Sequence, residues 1–315
     1  MRCVILFNPI AGRGKARRAA DALHERLRAE GFQVDCVTSQ SGTSNAELDR
    51  ALTGAVDNSR SLQTVLIVVG GDGSVRGAAP FAMKSGAALY QFPLGTENLF
   101  AREFKMTRSA DALVAAINQN RITRIDVGDV NGQLFLLMVS IGFDAEVVHD
   151  LALHRSGSIS HASYVGPIIR QLRRWKPHPL TITIDDQLLE LPGPGMVVIA
   201  NCRQYGFRFD PAPDAVMHDG QLDLAFIPMK GVGGLMKAAA QLRLSMLGRE
   251  RLRRGDNRSI IRARGSRIVI EANQPQRCQV DGDPGLTDAG ESSQPFTTPL
   301  NITIQPLSLS VLQAG

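Results

Sequence analysis

Residues 70–74 read Gly70-Gly71-Asp72-Gly73-Ser74. Three glycines in four positions let a backbone turn sharply and approach a ligand closely, because no Cβ stands in the way. The five aliphatic residues before them, 65–69, read as a strand buried on both faces. A helix is expected to follow, its free N–H groups pointing at whatever sits on the turn. Residues 65–76 therefore form a phosphate cradle carrying one carboxylate, Asp72. A carboxylate beside polyphosphate serves a bridging divalent cation or a proton. A tight structural turn with a capping Asp reads equally well from these residues alone.

The elements that must position this turn alternate along the chain. Residues 3–7 form a buried-strand pattern, followed by the turn Asn8-Pro9-Ile10-Ala11-Gly12-Arg13-Gly14-Lys15. A helix comes next, with Ala16, Ala19, Ala20, Leu23 and Leu27 on one stripe and its end near Gly31. A strand over 32–38 and a helix over 44–55 lead into the glycine turn. Strand, helix, strand, helix, strand is the signature of an open α/β sheet, where ligands bind outside the carboxyl ends of the strands. Asn8 to Gly14, Thr38 and Gly70 to Ser74 all lie at those ends. A fourth loop joins them: a strand over 87–92 is followed by Pro93-Leu94-Gly95-Thr96-Glu97-Asn98, then a helix through Phe104. Thr96 and Asn98 are suitable neutral partners for phosphate or sugar oxygens.

From about residue 124 the pattern becomes β-rich, with strands over 125–130, 134–141, 180–184, 196–200, 222–227, 267–271, 277–280 and 300–305. A sandwich is expected, interrupted by basic amphipathic helices over 163–175 and 235–247, with a polar loop over 282–295. Two domains result, 1–124 and 125–305, and the short apolar segment after Pro306 is expected to return to the first.

Composition narrows the classes. No apolar run in the 315 residues approaches a membrane span, and the chain starts directly in a strand, which leaves no room for a signal peptide. Cys3, Cys36, Cys202 and Cys278 are scattered, without zinc or disulfide spacing, and fit a reducing cytoplasm. His149, His154, His161, His178 and His218 show no metal spacing either. The net charge is +5, and nine arginines between Arg243 and Arg267 face only Glu250 and Asp256. Such a face suits an anionic partner, and for a lipid-directed protein it suits anionic lipid. Nucleic acid is a poor rival, since no recognised motif or aromatic stacking pattern accompanies the charge.

Four loops make one pattern: Asn8-Pro9-x-x-Gly12-x-Gly14, Gly70-Gly71-Asp72-Gly73-Ser74, Pro93-x-Gly95-Thr96-x-Asn98-x-x-Ala101 and Asp281-Gly282-Asp283. Together with Ser140-x-Gly142-x-Asp144-Ala145 and Asp219-Gly220-x-Leu222-Asp223-Leu224, in this order, they closely resemble the diacylglycerol kinase catalytic-domain family of lipid kinases. That family includes bacterial soluble diacylglycerol kinases, sphingosine kinases and ceramide kinases. The resemblance implies an α/β nucleotide-binding domain like that of phosphofructokinases and NAD kinases, then a β-sandwich, with the active site between them. It implies a cytoplasmic, membrane-peripheral enzyme of phospholipid metabolism, without a transmembrane segment. That enzyme would move the γ-phosphate of ATP to the hydroxyl of a diacylglycerol-like or sphingoid lipid.

ATP and Mg²⁺ would be held by Asn8, Ile10, Ala11, Gly12, Arg13, Gly14, Thr38, Gly70, Gly71, Asp72, Gly73, Ser74, Val75, Arg76, Thr96 and Asn98. Asp72 would act through Mg²⁺, and either Asp281 or Asp283 would accept the proton, since the family's Asp-Gly-Glu reads Asp-Gly-Asp here. A structural divalent ion would sit on Asp219, with backbone oxygens of Val216 and Gln221. The sequence departs from the family at Ser74, Arg76 and Gly77, where Thr, Asn and Glu are usual, which makes the pocket more cationic. An NAD kinase-like enzyme and a non-catalytic ATP or lipid sensor are the alternatives. Acceptor identity and oligomeric state, a homodimer included, stay open at this level.

Overall fold

The computed structural model describes residues 1–39, 44–53, 64–154, 160–208, 210–229, 260–287 and 294–314. The chain divides into two compact units, residues 1–125 with 307–315, and residues 126–306.

The first unit is a parallel α/β sheet. Strands β1 (Arg2–Phe7), β2 (Gln33–Thr38), β3 (Thr64–Gly70) and β4 (Ala88–Pro93) stand in the order β2-β1-β3-β4. In register, Phe7 lies between Thr38 and Val69, and Gly70 pairs with Pro93, so the strands end together at one edge. Val65 to Val69 are all 2% exposed or less, as expected of a strand covered on both faces. Helix α1 (Lys15–Ala29) buries Ala16, Ala20, Leu23 and Leu27 of the expected stripe, with Ala19 half-buried, and packs with α5 (Ala110–Gln119). Helix α2 (Ser44–Thr53) packs with α3 (Asp72–Ser85), and the short α4 (Leu99–Glu103) follows β4. Within this unit the chain's last segment returns to the sheet: Val311 pairs with Leu89, and Leu309, Val311 and Leu312 are fully buried.

Strand β5 (Ile122–Val130) leads into the second unit and pairs antiparallel with β6 (Gln133–Phe135). One layer there has the order β12-β11-β10-β7-β14, built from β7 (Met138–Ile141), β10 (Gly195–Ala200), β11 (Leu222–Pro228), β12 (Ile261–Gly265) and β14 (Cys278–Val280). The other places β13 (Arg267–Ala272) between β8 (Leu180–Ile184) and the start of β17 (Leu300–Leu312), with β9 (Gln187–Leu188) outside β8. Alternate side chains of both layers, among them Val139, Val197, Leu224 and Phe226 with Ile182, Ile268, Ile270 and Ile302, meet in one core. This is the antiparallel sandwich that the strand pattern called for. A small hairpin of β15 (Leu286–Thr287) and β16 (Gln294–Pro295) falls within the polar loop.

Three features differ from the sequence expectation. The single strand over 134–141 is two, β6 and β7, which pair with different partners. Helices α6 (Phe143–Leu153) and α7 (Val165–Arg174) form a pair, although only the second carried a periodic signal. Residues 261–265, read as part of a cationic face, are a strand. The expected helix over 235–247 and the arginines from 243 to 258 lie outside the described residues, as do 54–55 at the end of the α2 expectation.

Candidate active site

The glycine turn is built as the sequence suggested, and its neighbours show why. Gly71 caps α3, whose first turn begins at Asp72 on the carboxyl end of β3. A Cβ added to Gly95 would lie 2.6 Å from the Gly71 Cα, so the two glycine turns touch backbone to backbone. Leu94 N–H donates to the Gly70 carbonyl at 3.0 Å across the same contact. No other residue fits at this approach.

Three polar side chains frame the two turns. Asp72 accepts from the backbone N–H groups of Leu99 and Phe100, each at 3.0 Å, one on each carboxylate oxygen. Burial raises its carboxyl above the ordinary carboxylate range, opposed by those two donors. Asn98, left-handed at φ 50°, folds back on Gly95: its Oδ1 accepts from Gly95 N–H and its Nδ2 donates to Gly95 O, both at 2.8 Å. Gln91 is fully buried, donates to Gly70 O at 3.1 Å and accepts from Ala101 N–H at 2.7 Å. Asp72 and Asn98 thus act on the loops themselves. Gln91 escaped the sequence reading; a lone Gln inside an apolar strand was its only signal.

The first loop is a turn closed by Asn8, whose Oδ1 accepts from Ile10 N–H at 3.1 Å and whose carbonyl accepts from Ala11 N–H at 3.1 Å. Gly12, Arg13 and Gly14 all have positive φ, a conformation that disfavours the arginine. Ile10 is 80% exposed. A pocket of about 190 Å³ opens at this edge, lined in part by Asn8, Ser39, Asn45, Ser74, Gly77 and Phe81. Of the expected ligands it gathers Asn8 and Ser74. It takes Ser39 rather than its neighbour Thr38, and adds Asn45 from the first turn of α2. Arg76 is half-buried and Thr96 exposed, whereas the Val75 side chain belongs to the core.

In the second unit the two downstream carboxylates have separate surroundings. Asp281 is buried and accepts three backbone N–H groups, from Leu136 at 2.8 Å and from Leu137 and Met138 at 2.9 Å. This is the physical reason that 134–141 is not one strand: between β6 and β7 a carboxylate, not a neighbouring strand, takes up the N–H groups. Asn201 Nδ2 donates to Leu136 O at 2.9 Å from the other side. Asp283, two residues on, is half-exposed and closes the turn through its backbone with Val280.

Behind the turn lies a buried polar chain. Gln279 accepts from Gly282 N–H at 2.7 Å and donates to Ser140 Oγ at 2.8 Å, and the Ser140 and Tyr205 hydroxyls both donate to the Asp144 carboxylate. Burial pushes the Asp144 carboxyl upward, and burial followed by Asp144's charge pushes the Tyr205 phenol well upward.

Residues 2–130 match the diacylglycerol kinase catalytic domain, and residues 137–313 match the YegS C-terminal NAD kinase beta sandwich-like domain. The chain belongs to the diacylglycerol kinase family. It is a lipid kinase, a phosphotransferase with an alcohol acceptor. Similar proteins include the diacylglycerol kinase of Bacillus subtilis (strain 168), 24% identical over 92% of each chain. A probable lipid kinase YegS-like of Pseudomonas aeruginosa is 28% identical over 89% of this chain and 87% of its own. A crystal structure of a Bacillus anthracis str. Sterne protein titled a diacylglycerol kinase superposes with a TM-score of 0.68 at 19% identity, covering 99% and 96% of the chains, a likeness of fold.

The structural cation implied for this lipid kinase at Val216, Asp219 and Gln221 meets an occupied carboxylate. Asp219 Oδ1 accepts from Gln221 N–H at 3.1 Å, and its Oδ2 is paired with the Arg264 guanidinium. The same guanidinium reaches Asp223 Oδ1 at 3.1 Å. Among the described residues no group of three or more His, Cys, Asp or Glu is arranged to hold a metal. Arg264, from the stretch read as a solvated basic face, places a positive charge beside Asp219 and Asp223.

Proposed function

We propose that this lipid kinase transfers the γ-phosphate of MgATP to the hydroxyl of a diacylglycerol-like or sphingoid lipid. The observation that carries the reading is the pair of touching glycine turns at the start of α3, a strand–turn–helix arrangement with backbone close to backbone that suits a polyphosphate. Phosphoryl transfer asks little covalent help of a protein; it needs the phosphates held, their charge offset and the acceptor hydroxyl oriented. In this reading the first unit does the holding. Asp72, Gln91 and Asn98 keep the two turns in contact, and Arg13 and Arg76 offset phosphate charge.

Asp283 is the acceptor-side carboxylate. Asp281 is buried under three backbone donors; the Asp283 carboxyl is half-exposed, within reach of a lipid hydroxyl whose proton it takes late in the transfer. The acceptor resides in a bilayer and the donor in the cytoplasm, so the enzyme works at the membrane surface. No described helix is long and apolar enough to cross a membrane.

Radiolabelled γ-phosphate transfer to a panel of lipids in mixed micelles, with products identified by mass spectrometry, tests the reading. Wild-type protein labels one lipid class and not NAD, and Asp283→Ala lowers kcat at least about a hundredfold, the scale of a lost general base. Labelling of no lipid, or undiminished turnover by Asp283→Ala, would overturn it.

A further inference from the structure

Helix α7 leaves part of its apolar stripe in solvent. Its only fully buried residue is Pro167, while Val165 is 54% exposed and Ile169 47%. Arg170, its side chain 36% exposed, reaches across to α6: its Nε lies 3.0 and 3.1 Å from the two oxygens of Asp150, a carboxylate only 6% exposed. Gln171 Nε2 donates to the same carboxylate at 3.0 Å. This pairing holds the Asp150 carboxyl below its ordinary value and fixes the rotation of α7 about its axis. With Arg170 tied to α6, the stripe at spacing four, Val165, Ile169 and Arg173, lies exposed.

Leu153, at the end of α6 and 75% exposed, adds a third aliphatic side chain. Among the described residues seven large apolar side chains are exposed, and three of them sit on this one helix pair. Arg173, Arg174 and Lys176, all exposed, gather at the C-terminal end of the same helix. Trp175 between them is not part of the ridge; it packs edge-on against Phe143 at 5.7 Å.

We propose that the outer face of the α6–α7 pair is a docking surface for an anionic lipid bilayer, with Leu153, Val165 and Ile169 entering the acyl boundary and Arg173, Arg174 and Lys176 contacting anionic headgroups. A few aliphatic side chains beside a basic cluster match a headgroup layer, which is apolar below and negatively charged above. They match a second protein copy poorly, because a stable specific interface buries about 800 Å² per partner. The inference rests on the reading that the acceptor lipid lies in a bilayer, but its test contains no acceptor and no nucleotide.

The full-length protein is sedimented with vesicles of phosphatidylcholine alone or of phosphatidylcholine with phosphatidylglycerol. Wild-type protein binds the second and not the first, and added salt weakens binding. The double variant Val165→Asp, Ile169→Asp and, separately, Arg173→Glu, Arg174→Glu each lose at least about tenfold in vesicle affinity, the equivalent of ~1.4 kcal/mol. Leu188→Asp, an exposed apolar site on β9, leaves it unchanged, and thermal midpoints stay at the wild-type value because the altered side chains are exposed. If the aspartate variant fails to fold, the arginine variant decides.

Wild-type-like vesicle binding by the folded variants, or no binding by wild type, overturns the proposal. So does a change of oligomeric state in the ridge variants without a change in vesicle binding, which would make this face a contact between copies. Vesicle binding without labelling of any lipid keeps this docking surface and removes the kinase reading above.

Discussion

Asp281 and Asp283 are two residues apart in the sequence and have different surroundings. Asp281 is a fastener for the N–H groups of Leu136, Leu137 and Met138, all 4% exposed or less. Replacing it by alanine strands three buried donors, and a hydrogen bond to a charged group is worth roughly 1.5–3 kcal/mol. Asp281→Ala is therefore expected to lose about 3 kcal/mol of unfolding free energy in a denaturant titration, whereas Asp283→Ala keeps wild-type stability and loses turnover. Equal destabilisation of the two would contradict this division. The sequence made the pair visible as a motif and could not separate them. What distinguishes them is a contact with a strand end some 145 residues away, and no local pattern records such a partner. Asn98 was legible as a loop residue for the same reason that its role was not: an amide beside a glycine turn serves a ligand and a loop equally well.

At the scale of elements, strands covered on both faces were the clearest, because burial on both sides leaves an unbroken aliphatic run such as residues 65–69. Helix α6 was hidden because His149 and Asp150 face inward and interrupt its stripe; His149 Nε2 lies 2.8 Å from Cys278 O, and burial lowers its pKa. Strand β12 was hidden by Arg262 and Arg264, which read as surface charge, although Arg262 Nε donates to Pro211 O at 3.1 Å and Arg264 bridges two aspartates. Helix α3 carries a test of its own. Gly77 lies inside it, and a Cβ there would meet nothing within 4 Å. Gly77→Ala should stabilise the protein by about 1 kcal/mol through the unfolded chain and the helix propensity. Calorimetry should find the melting point higher by about 2–4 °C. A lower melting point would mean that the glycine meets a constraint within the fold.

For the molecule as a whole, the order of six short motifs over the chain made the family and both fold classes legible, while charge balance depends on burial that a sequence does not display. The carboxyls of Asp72, Asp144 and Asp223 are all raised, each chiefly by burial, and Asp223 is opposed by Arg264. A carboxyl raised in the folded state contributes its stability below the unfolded carboxylate pKa and loses it as pH climbs through the raised value. Asp150 has the opposite sign: its contribution is present above the ordinary value and lost as pH falls through its lowered one. Asp144→Asn removes the best-buried raised group. Its melting point should decline less than the wild type's as pH rises from the ordinary carboxylate range toward neutrality, and parallel curves for the two proteins would refute the assignment.

The Asp281 fastener also sets a clock. It joins segments 143–145 residues apart, so the turn that carries Asp283 cannot close until nearly the whole second unit has found its topology. Strands and helices form earlier, on local contacts. When unfolded protein is diluted from denaturant, the return of lipid phosphorylation should trail the return of the far-ultraviolet circular dichroism signal, and Asp281→Ala should widen that delay. A newly made chain would then acquire the carboxylate proposed for the acceptor side last, after the surfaces around it are already in place.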